Sequence, residues 1–245
     1  MATEEGDRRF YTSWAWKREH LPDRLRFKRP YIHKLENGVS LKINQAMFKA
    51  EGFASTVWDS SIVVCKYLEK MGDTIVKGKR CLDLSAGCGL VAVVLCHLGA
   101  SEVVATDLPG NLSLLRSNCS KQNGADRVQV LDHSWGKDVQ ALLPSFDLIV
   151  ACDVMYISEA VSDLVLTLEA SVAPLGQVLL AHGRNKGGEG TFFETVQGIF
   201  SVKEVTSAEL HEVYQCSDVQ VYSLAKAEQV LQTNTKRRRL TNDTA

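Results

Sequence analysis

Residues 80–107 read RCLDLSAGCGLVAVVLCHLGASEVVATD, and this stretch decides the fold. A short apolar run (80–85) breaks at Gly87-Cys88-Gly89. A longer apolar run follows and closes at Gly99, and a second short run ends on Asp107. Short runs of four to eight apolar residues bounded by turn residues suit buried strands, and the longer one suits a helix. A strand–helix–strand unit with both strands apolar throughout belongs to a parallel sheet covered on both faces.

The same alternation continues outward. Strands are predicted at 127–132, 146–153 and 176–183, and helices at 109–124 (Pro109 near its start, Gly124 past its end), 158–172 and 188–200, with a short helix after Trp135-Gly136. Two antiparallel candidates, 201–206 and 216–226, close the pattern. Upstream, 55–72 reads as a helix ended by Gly72. Residues 31–45 read as a hairpin around Asn37-Gly38, a strong turn signal. The fold class is therefore α/β: a doubly wound, mainly parallel sheet with an antiparallel C-terminal hairpin, preceded by an N-terminal β-hairpin and a helical extension.

Composition restricts the function. Hydrophobic residues make up 45% and charged residues 23% of the 245, with a net charge of −1, so no global field favours nucleic acid. The charge is uneven: residues 1–50 hold 11 Lys/Arg against 6 Asp/Glu, and the rest 17 against 23. A basic arm on an acidic body can steer a partner or can be a solvated extension. The seven cysteines are odd in number and lack paired spacing, which fits a reducing compartment and neither a disulfide framework nor a metal site. MATEEGDRRF lacks the apolar core of a signal peptide, and no run is long enough to span a bilayer. A cytosolic protein is expected, with Lys236–Arg239 (KRRR) a candidate nuclear import signal.

The glycine turn lets the backbone approach a ligand at a helix N-terminus. Asp107 follows Gly89 by 18 residues, the spacing of a carboxylate that grips ribose hydroxyls. Gly87-x-Gly89-x-x-Ala92 also satisfies the dinucleotide fingerprint, so a nicotinamide dehydrogenase is a rival. Asp83 separates the two readings. A pyrophosphate near it meets a like charge, a repulsion of roughly 4 kcal/mol at 4 Å and an effective dielectric near 20. S-adenosylmethionine carries an ammonium and a sulfonium, and turns the same carboxylate into an attraction.

At the carboxyl end of the 146–153 strand the chain reads CDVMY. A helix-capping aspartate is the plain explanation for Asp153, and a phenol at a helix start the plain one for Tyr156. The combination of Trp58-Asp59-x-Ser61, LDLSAGCG, ATDLP, Ser134-Trp135-Gly136 and CDVMY resembles the seven-β-strand (class I) protein-lysine methyltransferases of the methyltransferase-like family, over about residues 37–225. The resemblance implies a Rossmann-like seven-stranded fold and S-adenosylmethionine as cofactor. It implies a protein substrate of chaperone or translation-factor type. It divides the chain into an arm (1–30), a hairpin and linker (31–56), a methyltransferase domain (57–225) and a basic, disordered tail (226–245). It implies that Ser85, Ala86 and Gly87 line the methionine end of the cofactor with Trp58, Asp83 and Gly89 nearby. It implies further that Asp107 holds the ribose, that Trp135 lies against the adenine, that Leu108 belongs to the cofactor site, and that the backbone at Cys152 closes the pocket. On the same resemblance Asp153 and Tyr156 are the expected catalytic pair beside the substrate amine. Two positions depart from the family: it usually has Glu at Asp83 and Gly at Ser85. Ser85 requires a negative φ or tolerates strain.

Three rivals have distinct signatures. A nucleobase amino-methyltransferase would show an Asn/Asp-Pro-Pro-aromatic turn, and CDVMY has no proline. A small-molecule amine methyltransferase could use the same Asp–Tyr pair. A non-catalytic cofactor-binding subunit would draw support from the substituted glycine loop. Trp58 and Trp135 are core aromatics on the plain reading. A monomer acting on a protein partner, with no metal, membrane or nucleic acid, is expected.

Overall fold

The computed structural model describes residues 16–18, 21–26, 30–46, 52–183 and 185–227. The expectations for most of the arm and for nearly all of the tail, KRRR included, fall outside them. A helical turn, α1 (Asp23–Arg26), precedes an antiparallel hairpin of β1 (Tyr31–Lys34) and β2 (Ser40–Ile43). Next come α2 (Asp59–Ile75), β3 (Arg80–Leu84), α3 (Leu90–His97), β4 (Glu102–Asp107), α4 (Leu112–Cys119) and β5 (Val128–Asp132). The chain then forms β6 (Phe146–Cys152), α5 (Val161–Ser171), β7 (Val172–His182), α6 (Glu189–Thr195), β8 (Phe200–Glu204) and β9 (Gln220–Lys226).

The seven strands β3–β9 form one sheet in the order β5-β4-β3-β6-β7-β9-β8. Its first five strands pair in parallel, and β9 inserts antiparallel between β7 and β8. The chain winds outward from β3 to β5, then returns to lay β6 on the other side of β3. The carboxyl ends of β3 and β6 therefore border the crevice where such sheets bind ligands.

Burial follows the two-residue period of a strand. Cys81, Leu148 and Val150 face one core with Ile62, Leu68 and Val94 of α2 and α3. Leu82, Ile149 and Ala151 face the other with Leu164, Leu168 and Phe192 of α5 and α6. No helix among the described residues is long and apolar enough to cross a membrane.

Several boundaries differ from the sequence reading: α2 starts at Asp59 rather than Ser55, α5 at Val161 rather than Ser158 and β9 at Gln220 rather than Cys216. Gly72 does not end α2, which continues to Ile75. A Cβ on Gly72 would lie 3.4 Å from Leu98 Cδ2, an ordinary contact distance, so α2 simply packs past this position against Leu98. Helix α4 stops at Cys119 rather than running on to Asn123, because Ser120–Asn123 offers no apolar face to bury. Helix α6 stops at Thr195, and the chain turns at Gly198 (φ 78°) into β8. Strand β7 starts at Val172, before a register shift in its pairing with β6.

Candidate active site

The carboxyl ends of β3, β4, β5 and β6 open into a cleft of about 950 Å³. Trp58, Asp83, Ser85, Ala86, Gly87, Asp107, Leu108, Trp135, Cys152, Asp153 and Tyr156 line it. One predicted residue does not reach it. Gly89 has φ 88° at the N-terminus of α3, and a Cβ there would meet Leu115 Cδ1 at 2.7 Å. Its lack of a side chain admits α4 to the turn. The neighbouring Cys88, Leu90 and Val91 line the cleft instead.

The glycine loop is held from below and from the side. Asp83 is 2% exposed, and its Oδ2 accepts the Ala92 N–H at 2.9 Å, which satisfies an otherwise orphaned donor in the first turn of α3. Burial pushes the Asp83 carboxyl up to about 7, opposed by that N–H and reinforced by the charge of Asp107. Asp107 Oδ2 accepts the Gly87 N–H at 2.7 Å, while Oδ1 accepts the Leu108 N–H at 2.8 Å and Asn111 Nδ2 at 2.6 Å. The carboxylate that ends β4 is thus fixed in orientation at the cleft wall. Gly87 (φ 56°) is needed twice over: a Cβ would also lie 3.2 Å from the Ala54 carbonyl, against which the loop packs. Ser85 takes the strained alternative, at φ 64°.

Trp135 and Trp58 are half-buried cleft residues rather than core aromatics. Trp135 Nε1 donates to Ser85 Oγ at 3.0 Å, and Trp58 Nε1 donates to the Phe53 carbonyl at 3.0 Å, with the Arg26 guanidinium 4.9 Å over the Trp58 ring. Asp59 of the Trp-Asp motif turns away from the cleft and accepts the Arg18 N–H at 2.9 Å. Leu108 is 53% exposed on the cleft wall.

Asp153 caps no helix. It sits at φ 53°, and the following helical segment begins at Ser158. Its N–H donates to the Ala181 carbonyl at 2.8 Å, its Oδ1 accepts the Gly183 N–H at 2.7 Å, and its Oδ2 accepts the Ser60 hydroxyl. Tyr156 is 45% exposed at the cleft mouth. Burial of its other half and the charge of Asp107 raise the phenol, so it stays protonated at neutral pH. Ser85 and Asp153 are two of the three non-glycine residues with positive φ among the described residues, and both border the cleft. Backbone strain of this kind persists where the surroundings over-determine a site.

Sequence reasoning missed several contributors, Ser60, Gly183, Phe53 and His133 among them. Ser60 lies inside the Trp58–Ser61 motif yet had no signal of its own. Gly183 acts through its backbone. Phe53 and His133 line the cleft from segments without a recognisable pattern.

The donor set fits one cofactor chemistry. Asp83, Asp107 and Asp153 all line the cleft, and the glycine loop forms a cradle that a Cβ at Gly87 would crowd. Carboxylates suit ribose hydroxyls and cationic groups and repel pyrophosphate. Fold and cleft together define a Rossmann-like S-adenosylmethionine-dependent methyltransferase. The chain belongs to the lysine methyltransferase family, whose model matches residues 35–199. Protein N-lysine methyltransferase METTL21A of Danio rerio is 36% identical over 163 residues, covering 64% of this chain and 73% of that protein. EEF1A lysine methyltransferase 3 of Xenopus tropicalis is 27% identical over 191 residues, 77% and 82% of the two chains. Among solved structures, the T. Thermophilus 16S rRNA N2 G1207 methyltransferase RsmC shares the fold, with a TM-score of 0.56, 19% identity and coverage of 81% of this chain and 50% of that one.

Proposed function

We propose that this enzyme methylates a lysine side chain of a folded protein, with Asp153 and Tyr156 receiving the amine. The observation that carries this reading is the juxtaposition of a fixed carboxylate and a half-exposed phenol at the mouth of the cleft. A lysine ammonium has an ordinary pKa near 10.4, so only about 0.1% is neutral at pH 7.4, and generating the nucleophile costs roughly 4 kcal/mol. Asp153 attracts and orients the ammonium. The Tyr156 hydroxyl directs the nitrogen, its ring presents a π face to the cation, and the open mouth lets the proton leave to water. Bound in the cleft, S-adenosylmethionine supplies an electrophilic methyl group. Asp107 would hold its ribose, the Ser85–Gly87 backbone and Asp83 its methionine end, Leu108 and Trp135 its base, and the Cys152 backbone would close the pocket. Alignment of two bound partners is the main source of acceleration in such a transfer.

A protein substrate is favoured over a small amine by the rim. Phe53 (60% exposed), Tyr156 and Ile157 place apolar surface around the mouth, where a macromolecule can cover it. A relative named for acting on EEF1A supports a translation-factor substrate. A monomer working in the cytosol, and in the nucleus if KRRR is read as an import signal, completes the proposal. Incubation with methyl-labelled cofactor and a cell extract, followed by mass spectrometry, tests it. Label on a protein lysine is expected, and label confined to small molecules would contradict it.

A further inference from the structure

Ser60 is the second residue of α2, is 1% exposed, and has its hydroxyl directed at Asp153 Oδ2. The other carboxylate oxygen takes the Gly183 N–H at 2.7 Å. These two donors come from opposite sides: the first turn of α2, and the segment that follows β7. Asp153 itself stands in a left-handed backbone conformation (φ 53°), with its N–H bonded to the Ala181 carbonyl. Main chain and side chain are therefore both constrained. An aspartate side chain otherwise samples several rotamers, and a carboxylate that swings loses the alignment on which an in-line transfer depends. The positive end of α2 adds a favourable field at this carboxylate.

We propose that Ser60 is a positioning residue for methyl transfer: its hydroxyl, with the Gly183 N–H, fixes the orientation of the Asp153 carboxylate at the cleft. The proposal rests on the reading of Asp153 as the amine-binding group. It separates two properties of that group. The charge of Asp153, which attracts the ammonium, survives loss of Ser60. Its fixed direction is weakened, because one of the donors that hold it is gone. Ser60→Ala should therefore lower kcat about 10-fold and leave the KM for the protein substrate and the Kd for S-adenosylmethionine within about twofold. Ser60→Cys, of similar size and with only a weak donor, should fall between serine and alanine.

The experiment is steady-state kinetics on Ser60→Ala, Ser60→Cys and Asp153→Asn. Cofactor-binding stoichiometry counts the folded active sites, and thermal unfolding is followed in parallel. A selective kcat loss graded Ser60, Cys, Ala supports the proposal. Wild-type kcat in Ser60→Ala beside a crippled Asp153→Asn overturns it and spares the reading of Asp153. So does a kcat loss that disappears once the active fraction is corrected. Wild-type activity in Asp153→Asn overturns both.

Discussion

Trp135 Nε1 donates a hydrogen bond to Ser85 Oγ at 3.0 Å, tying the loop after β5 to the glycine loop after β3. A glycine at position 85 would adopt φ 64° without strain but could not make this bond. The serine therefore exchanges backbone ease, worth about 1 kcal/mol, for a hydrogen bond of about the same size. Ser85→Gly should change stability by less than about 1 kcal/mol, because the two effects oppose. Ser85→Ala keeps the strain, loses the bond, and should cost about 1–2 kcal/mol in urea unfolding. An alanine variant as stable as wild type would show that the bond contributes nothing.

Asp83 predicts a pH-dependent stability. Its carboxyl is raised from 3.8 to about 7 in the folded protein. Between these values the unfolded chain has released the proton while the folded chain still holds it. Stability therefore falls as pH rises from about 4 to about 7 and is flat above, by up to a few kcal/mol. Asp83→Asn keeps an acceptor for the Ala92 N–H and removes the titration. It should unfold at a higher temperature than wild type at pH 8 and converge with it near pH 4, while binding S-adenosylmethionine more weakly. Parallel melting curves across that range would contradict the account.

Asp107 combines structure with binding. Its carboxylate accepts from Gly87, Leu108 and Asn111, so Asp107→Ala strands three donors as well as the ribose site. Calorimetry should show at least ~100-fold weaker S-adenosylmethionine binding, about 2.7 kcal/mol. Unfolding should show a loss of ~2 kcal/mol from unsatisfied donors. Asp107→Asn retains one oxygen and should lie between. Unchanged cofactor affinity in the alanine variant would remove Asp107 from the cleft's chemistry.

The central sheet was legible because its strands are buried on both faces, which writes them as continuous apolar runs: Leu148–Ala151 and Val103–Ala105 needed no context. Helix ends were less legible. Gly72 and Gly124 look alike in sequence, yet one packs against Leu98 within a continuing helix and the other takes φ 81° after a polar run. Site residues at strand ends were readable because the strand pattern itself places Asp107 and Asp153. Ser60 and Gly183 were not, since each acts through a contact across long sequence separation that no local pattern encodes. The sequence leaves the arm as a solvated extension or a partner-steering segment. Two of its described residues dock on the body: Trp16 Nε1 donates to the Val213 carbonyl at 2.9 Å, and Lys17 pairs with Asp218 at 2.6 Å.

The most direct test of the account is single-turnover methyl transfer by Asp153→Asn with saturating S-adenosylmethionine, alongside thermal unfolding and cofactor calorimetry. Asparagine keeps the shape and one acceptor oxygen for the Gly183 N–H, presents its amide to the Ser60 oxygen, which can accept, and removes the charge. The account predicts a rate at least ~10²-fold lower, about 2.7 kcal/mol, with melting temperature and cofactor affinity close to wild type. Tyr156→Phe, which keeps the π face, should cost less. An Asp153→Asn enzyme with wild-type turnover would show the carboxylate to be structural and contradict the assignment.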